Sequence, residues 1–188
     1  GDDTMVASSG GETMYGGAGN DIADLSVGDF IYTFDTETGL DVVFINELFL
    51  GFETFLFGTA NDTITTHGSV GVDETVFSGA GNDTIIDTSD TSASDLDTYD
   101  GGSGTDTIRF SAAALTALNV INLSTGFMTF NGANRDVLIG FENVTVSGSS
   151  AGIIGDGASN ILTAEGNFAN TISGGDGGDT VYGGGGDD

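Results

Sequence analysis

Aspartates that follow closely spaced glycines are the residues of this chain best suited to chemistry. Nine-residue units of the form G-G-x-G-x-D-x-U-x, in which U is apolar, include GGAGNDIAD at 16–24, SGAGNDTII at 78–86, GGSGTDTIR at 101–109 and GGDGGDTVY at 174–182. Glycine permits the positive φ angles of a tight turn and lets carbonyl oxygens approach an ion closely. The Asp adds a charged oxygen, which is the ligand type that hard cations such as Ca²⁺ prefer. The pattern therefore predicts a cation-binding turn followed by a minimal strand with one inward apolar side chain.

The spacing of the units indicates how these turns are positioned. Nine residues are too few for a whole coil, so we expect two units in each coil, with successive glycine turns on opposite edges. Turns two units apart then lie about one strand spacing, ~4.8 Å, from each other, and an ion between them can take oxygens from both. The sequence thus predicts an all-β fold, a parallel β-roll or β-helix solenoid with Ca²⁺ between stacked glycine turns.

The eighth position of each unit is expected to point inward and to form a thin core. The residues in that position are Met5, Met14, Ala23, Ile64, Val76, Ile85, Tyr99, Ile108, Ile153, Leu162, Ile172 and Val181.

The sixth position of each unit is predicted to hold the metal ligands. On one edge the register stacks Asp62, Asp83 and Asp106, and on the opposite edge it stacks Glu74 with Asp97. The predicted metal ligands, acids and turn glycines together, are Asp3, Asp21, Asp62, Asp83, Asp97, Asp106, Asp179, Asp188, Gly17, Gly19, Gly79, Gly81, Gly102, Gly104, Gly175 and Gly177.

Three units depart from the acidic pattern and predict weaker sites. Asn160 is expected to lie next to Asp179, and Asn170 next to Asp188. An amide offers only a neutral oxygen, so these sites should be weak or empty. Ala151 stands in the sixth position of 146–154, where no ion is expected. We predict no catalytic residues and no organic cofactor.

The chain divides into repeat runs and apolar linking segments. Repeat runs are predicted at 1–33, 57–109 and 146–188, with linking β coils or a meander at 34–56 and 110–145 and a short helix at 111–118. The linking segments resemble each other, because GFETFLFG at 51–58 parallels GFENVTVSG at 140–148. The last run is expected to continue beyond the chain, because GDD at 186–188 and at 1–3 has the same place in the unit.

The composition excludes several classes of partner. The chain has 29 acidic and two basic residues, for a formal net charge of -27. So acidic a chain is expected to bind cations, and neither nucleic acid nor anionic membrane. It has no Cys, so thiolate metal sites and disulfides are excluded, and no apolar run is long enough to insert in a bilayer. Arg109 and Arg135 are expected to form local ion pairs.

The nonapeptides resemble those of the repeats-in-toxin (RTX), or haemolysin-type calcium-binding, family. The residues that carry the resemblance are GGAGND at 16–21, SGAGND at 78–83, DGGSGTDTI at 100–108 and GGDGGDT at 174–180, together with GFENV at 140–144. The resemblance implies a right-handed parallel β-roll in which the sixth-position Asp and the turn carbonyls bind several Ca²⁺ ions. It also implies a secreted bacterial protein, often exported unfolded by a type I system.

Three functional classes follow from these observations. The first is a calcium-folded structural segment of a secreted or cell-surface protein, such as a fibre, surface layer or large adhesin, whose partners are further repeats, another copy, or an unidentified surface glycan or protein. The second is an accessory roll of an extracellular enzyme or toxin whose catalytic domain lies outside this chain. Catalysis within the repeats would need a base and cationic groups, which two arginines and one histidine supply poorly. A disordered acidic linker would not place an apolar residue every ninth position. The first class is our prediction, and the chain is not expected to be an enzyme.

Overall fold

The fold consists of short strands that run mostly parallel to one another. The computed structural model describes residues 1–7, 13–27, 33–35, 48–50, 52–66, 73–88, 96–111 and 119–188. The described strands up to residue 100 are β1 (Thr4–Val6), β2 (Thr13–Tyr15), β3 (Ile22–Asp24), β4 (Thr33–Asp35), β5 (Leu48–Leu50), β6 (Thr54–Leu56), β7 (Thr63–Thr66), β8 (Thr75–Phe77), β9 (Ala80–Gly81), β10 (Thr84–Asp87) and β11 (Thr98–Asp100). Those that follow are β12 (Ser103–Gly104), β13 (Thr107–Ser111), β14 (Asn119–Asn122), β15 (Phe127–Phe130), β16 (Ala133–Ile139), β17 (Asn143–Ser147), β18 (Ala151–Ile154), β19 (Ile161–Glu165), β20 (Thr171–Ser173) and β21 (Thr180–Tyr182).

Two sheets contain most of these strands. The ten-stranded sheet, here called sheet A, has the order β1-β3-β6-β8-β11-β16-β15-β14-β18-β20, and the seven-stranded sheet C has the order β21-β19-β17-β13-β10-β7-β4. Pairing is parallel except within β14–β15–β16, an antiparallel meander inserted into sheet A. Its second hairpin turns at Asn131 and Gly132, which both have positive φ, as expected of an Asn-Gly turn.

From β6 to β13 and from β17 to β21, the strands of successive nine-residue units alternate between the two sheets, whereas β2 pairs with β5 in a separate two-stranded sheet. In sheet C, Ile64, Ile85 and Ile108 are direct neighbours on β7, β10 and β13. In sheet A, Val76 of β8 lies beside Tyr99 of β11. Strands two units apart are therefore paired at the register that the sequence predicts. The all-β, mostly parallel arrangement is compatible with a β-roll or β-helix.

The core lies between the two sheets and is formed largely by the eighth positions. Ala23, Ile64, Val76, Ile85, Tyr99, Ile108, Ile153 and Leu162 are buried, and Met5, Met14 and Ile172 pack against them. Val181 differs from the prediction, because its side chain is 47% exposed. It lies on β21 at the edge of sheet C, where no further described strand covers it.

The linking segments contribute strands to the same sheets. The strand β6, within 34–56, pairs with β3 on one side and β8 on the other, so it joins two repeat runs in sheet A. Residues 112–118 of the predicted short helix, and His67, lie outside the described residues. In the part of the chain that the structure describes, no helix has the length and apolarity needed to cross a membrane.

Candidate metal-binding turns

The glycine turns adopt the backbone conformation that the sequence predicts. All eight glycines predicted as ligands have positive φ, and so do Gly184 and Gly186 of the last turn. In this region side chains are disfavoured by about 1–2 kcal/mol, so glycine is the residue that forms these turns without strain.

Neighbouring turns on one edge are in direct backbone contact. The short strands β9 and β12 pair in parallel within the turns themselves, with Ala80 beside Ser103 and Gly81 beside Gly104. A Cβ atom at Gly102 would overlap the carbonyl oxygen of Gly79. Glycine is therefore required here for the close approach of two turns as well as for its φ angle.

The sixth-position acids on this edge form a continuous column of hydrogen bonds. The Oδ1 of Asp83 accepts the backbone N–H of Asp62 at 2.8 Å, and the Oδ1 of Asp106 accepts that of Asp83 at 2.7 Å. All three side chains are at most 1% exposed. The structure thus brings together Asp62, Asp83 and Asp106 as the register predicts.

The opposite edge has the same hydrogen bond between acid and backbone N–H, but there the second oxygen of one acid also has a partner. The Oδ1 of Asp21 accepts the N–H of Asp3 at 2.8 Å, and the Oδ1 of Asp97 accepts the N–H of Glu74 at 2.7 Å. The second oxygen of Asp97 accepts the hydroxyl of Tyr99 at 3.1 Å. Burial, followed by the negative charges of Asp87, Asp97 and Asp136, raises the pKa of Tyr99 well above its ordinary value. The phenol therefore remains a proton donor to Asp97.

The last units continue the pattern with amides and acids. Asp179 accepts the N–H of Asn160 at 3.0 Å, and Asp188 accepts the N–H of Asn170 at 3.1 Å, as the register predicts. The Oδ1 of Asn170 accepts the N–H of Ala151 at 3.1 Å. An amide in the sixth position therefore preserves the backbone contact without adding negative charge.

Three of the buried acids keep one oxygen without a hydrogen bond. In Asp21, Asp83 and Asp106, Oδ1 accepts a backbone N–H, whereas Oδ2 is buried and has no hydrogen-bond partner. Burial raises the pKa of Asp83, and the N–H of Asp62 and the nearby Ser78 side chain oppose the rise; the Ser78 hydroxyl itself donates to the carbonyl of Gly101 at 2.9 Å. Burial also raises the pKa of Asp106 to about 6; the N–H of Asp83 opposes this, while the negative charges of Asp83, Glu142 and Asp100 add to it. The folded chain holds these charges at a free-energy cost.

These residues fit a divalent cation. Buried carboxylate oxygens and closely approaching carbonyl groups form a donor set of hard oxygens, and Ca²⁺ takes six to eight such ligands at about 2.3–2.6 Å. Among the described residues, no three side chains of His, Cys, Asp or Glu lie close enough together to hold a metal ion. Turn carbonyls would therefore have to complete the coordination at Asp21, Asp83 and Asp106.

The sequence analysis missed three acids that take part in the columns. One is Asp136, whose Oδ1 accepts the N–H of Asp97 at 3.4 Å, and the other two are glutamates. The Oε2 of Glu53 accepts the N–H of Asp21 at 2.8 Å, and the Oε2 of Glu142 accepts the N–H of Asp106 at 2.7 Å. Both glutamates belong to the two Gly-Phe-Glu segments that the sequence analysis recognised as parallel. The signal was present, because each Glu is followed by x-U-x, as the sixth-position Asp is.

The two arginines differ in their contacts. Arg109 forms a two-pronged ion pair with Glu165, with its shorter N–O distance 2.7 Å, and this ion pair confirms the prediction for that residue. Arg135 is buried, and its guanidinium carbon lies 4.9 Å from the centre of the Phe130 ring.

No protein-family model and no curated protein matches this chain.

Proposed function

We propose that this chain is a calcium-binding structural segment of a secreted or cell-surface bacterial protein, and that it folds when Ca²⁺ binds outside the cell. The proposed fold is a right-handed parallel β-roll with Ca²⁺ between stacked glycine turns. The observation that carries the proposal is the set of buried carboxylate oxygens, Oδ2 of Asp21, Asp83 and Asp106, that have no hydrogen bond.

The charge of the column makes a cation the natural partner of these oxygens. Two carboxylates one strand spacing apart repel each other by on the order of 3 kcal/mol at an effective dielectric constant of about 20. The net charge of -27 leaves few cationic side chains to offset this repulsion. Calcium supplies two positive charges and accepts the oxygen lone pairs that the protein leaves unused.

Binding and folding are expected to be coupled. Each ion needs oxygens from turns about 20 residues apart in sequence, such as those of Asp62 and Asp83, so the unfolded chain has no comparable site. Extracellular calcium modules have dissociation constants of about 10⁻⁴–10⁻³ M. A site with a dissociation constant of about 0.1 mM stabilises the fold by about 2.7 kcal/mol at about 10 mM Ca²⁺. The summed free energy of several such sites would determine whether a β protein of this size folds.

The test is circular dichroism of the chain in chelator and in millimolar CaCl₂. We expect a coil-like spectrum in chelator and a β-rich spectrum in calcium, with a cooperative transition between them. MgCl₂ at the same concentration is the control for screening, because Mg²⁺ demands a smaller octahedral site and gives up its waters reluctantly. Equal β content in chelator and in calcium would contradict the proposal, and equal effects of both cations would replace it with nonspecific screening.

A further inference from the structure

The turns between strands differ in length, and two of the lengths recur. Six residues separate the core strands at 16–21, 57–62, 78–83, 101–106, 155–160 and 174–179, where 78–83 and 101–106 also contain the two-residue strands β9 and β12. Three residues separate the strands at 51–53, 140–142 and 148–150. Two of the three-residue turns are the Gly-Phe-Glu segments. They follow the glycine turns directly in the columns, because Glu53 contacts Asp21 and Glu142 contacts Asp106.

The residue before the acid lies in opposite environments in the two kinds of turn. In the six-residue turns it is exposed, and in two of them it is an Asn that bonds the next turn: Oδ1 of Asn61 accepts the N–H of Asn82, and Oδ1 of Asn82 accepts that of Thr105. In the Gly-Phe-Glu turns it is a buried phenylalanine, with Phe52 5% and Phe141 4% exposed. Phe52 packs edge-on against the core residue Phe55, with 6.5 Å between ring centres. A buried phenylalanine side chain therefore stands at the position that an exposed residue has in the six-residue turns.

The Gly-Phe-Glu turns pair with the preceding acid in both directions. Glu142 accepts the N–H of Asp106, and the carbonyl of Asp106 accepts the N–H groups of Glu142 and Asn143 at 3.2 and 2.9 Å. The same pattern links Glu53 and Thr54 to the carbonyl of Asp21 at 3.2 and 3.0 Å. Glu is one methylene longer than Asp, so its carboxylate reaches the neighbouring N–H from a shorter turn. The carbonyl and N–H of Asp21 and Asp106 are thereby used by the protein. The backbone columns continue beyond both glutamates, because the carbonyl of Glu53 accepts the N–H of Thr75 and that of Glu142 accepts Nδ2 of Asn160.

We propose that the Gly-Phe-Glu turns terminate the rows of ions, with Phe52 and Phe141 filling the space and Glu53 and Glu142 capping the backbone groups of the preceding acids. This inference rests on the proposed calcium binding and specifies which gaps between turns hold an ion. Ions are confined to gaps between two six-residue turns, such as those between 57–62 and 78–83 and between 78–83 and 101–106, and to the gap between 16–21 and residues 1–3, which Asp21 and Asp3 join. The gap between 101–106 and 140–142 holds none.

A turn transplant tests this inference by adding a site. Residues 140–142 are replaced by the six residues that stand at 78–83, and Ca²⁺ ions per chain are counted by native mass spectrometry and calorimetric titration. We expect at least one ion more than in the unaltered chain. The control is the same transplant with Ala in place of its final Asp, which should add none. A transplanted chain that folds in calcium and binds the original number of ions would overturn the inference.

A conservative variant decides the question even if the transplanted chain does not fold. Glu142→Gln keeps an oxygen that can accept the N–H of Asp106 but removes the charge that an ion would need. We expect an unchanged number of ions, and a smaller loss of affinity than Asp106→Asn causes. Loss of one ion would show that Glu142 is a ligand and would overturn the inference. If the unaltered chain binds no calcium at all, the proposed function fails instead, so the two failures are distinguishable.

Discussion

Asp106 and Asp83 are joined by a hydrogen bond that does not depend on any ion: Oδ1 of Asp106 accepts the backbone N–H of Asp83 at 2.7 Å across 23 residues of sequence. Asp83 and Asp106 thus each have two separate roles. In each of them Oδ1 fixes the distance to the neighbouring turn, and Oδ2 is left without a hydrogen bond. The two roles can be separated by substitution.

Asp83→Asn should weaken calcium binding while largely preserving the backbone contact, because an Asn oxygen can still accept the N–H of Asp62. Asp83 lies between two gaps of its column, so two ions should be affected together. We expect a loss of at least about tenfold in affinity, which corresponds to about 1.4 kcal/mol. Calorimetric titration measures this loss. Asp176→Asn, which makes the same charge change on an exposed turn residue, is the control. Equal effects of the two variants would mean that only net charge matters.

Gly102→Ala should be destabilising for two reasons, its positive φ and the lack of space for a Cβ atom. Substitutions at two other glycines measure these effects separately. The φ of Gly102 is +75° and a Cβ would overlap the carbonyl of Gly79. Gly132 has φ of +78° with open space around it, and Gly157 has open space without a positive φ. We expect little change for Gly157→Ala, about 1–2 kcal/mol for Gly132→Ala, and more than this for Gly102→Ala. Urea denaturation in saturating calcium measures all three. The order would be wrong if Gly102→Ala were no worse than Gly132→Ala.

Protonation of the buried aspartates at low pH should stabilise the metal-free chain, as we expect calcium to do at neutral pH. The pKa of Asp106 is raised from 3.8 to about 6 in the fold, and that of Asp83 is also raised. The folded state therefore binds protons more tightly than the unfolded state, and their contribution to stability is fully present below about pH 4 and is lost as the pH rises through about 6. In chelator, β content followed by circular dichroism should increase between pH 7 and pH 4. Asp83→Asn combined with Asp106→Asn should reduce this increase. A metal-free chain whose β content falls on acidification would contradict the prediction.

Ile85→Ala should lower stability far more than Val181→Ala. Ile85 is fully buried between Ile64 and Ile108, and truncation of such a side chain costs about 2–5 kcal/mol. Val181 is 47% exposed at the edge of sheet C, so its truncation should cost less than about 1 kcal/mol. The free energy of unfolding in calcium checks the difference, and similar losses would mean that β21 is covered in solution.

The sequence by itself determined the register, because two short-range constraints coincide in the glycine-rich units. Glycine at fixed places dictates where the chain can turn, and the apolar eighth position dictates which strand residue points inward, as Gly102 and Ile108 do within a single unit. Those constraints were sufficient to predict that Asp62, Asp83 and Asp106 share one column.

The tertiary structure alone decided which distant residues contact the aspartates of the columns. The x-U-x that follows Glu53 and Glu142 marks them as candidates, but their contact with Asp21 and Asp106 depends on pairing across 32 and 36 residues, which a nine-residue pattern does not contain. The same is true of Tyr99, an inward residue by its register whose hydroxyl satisfies Asp97. Local periodicity fixes the direction of each side chain, but which oxygens remain without a hydrogen bond depends on which distant groups the packing brings near them.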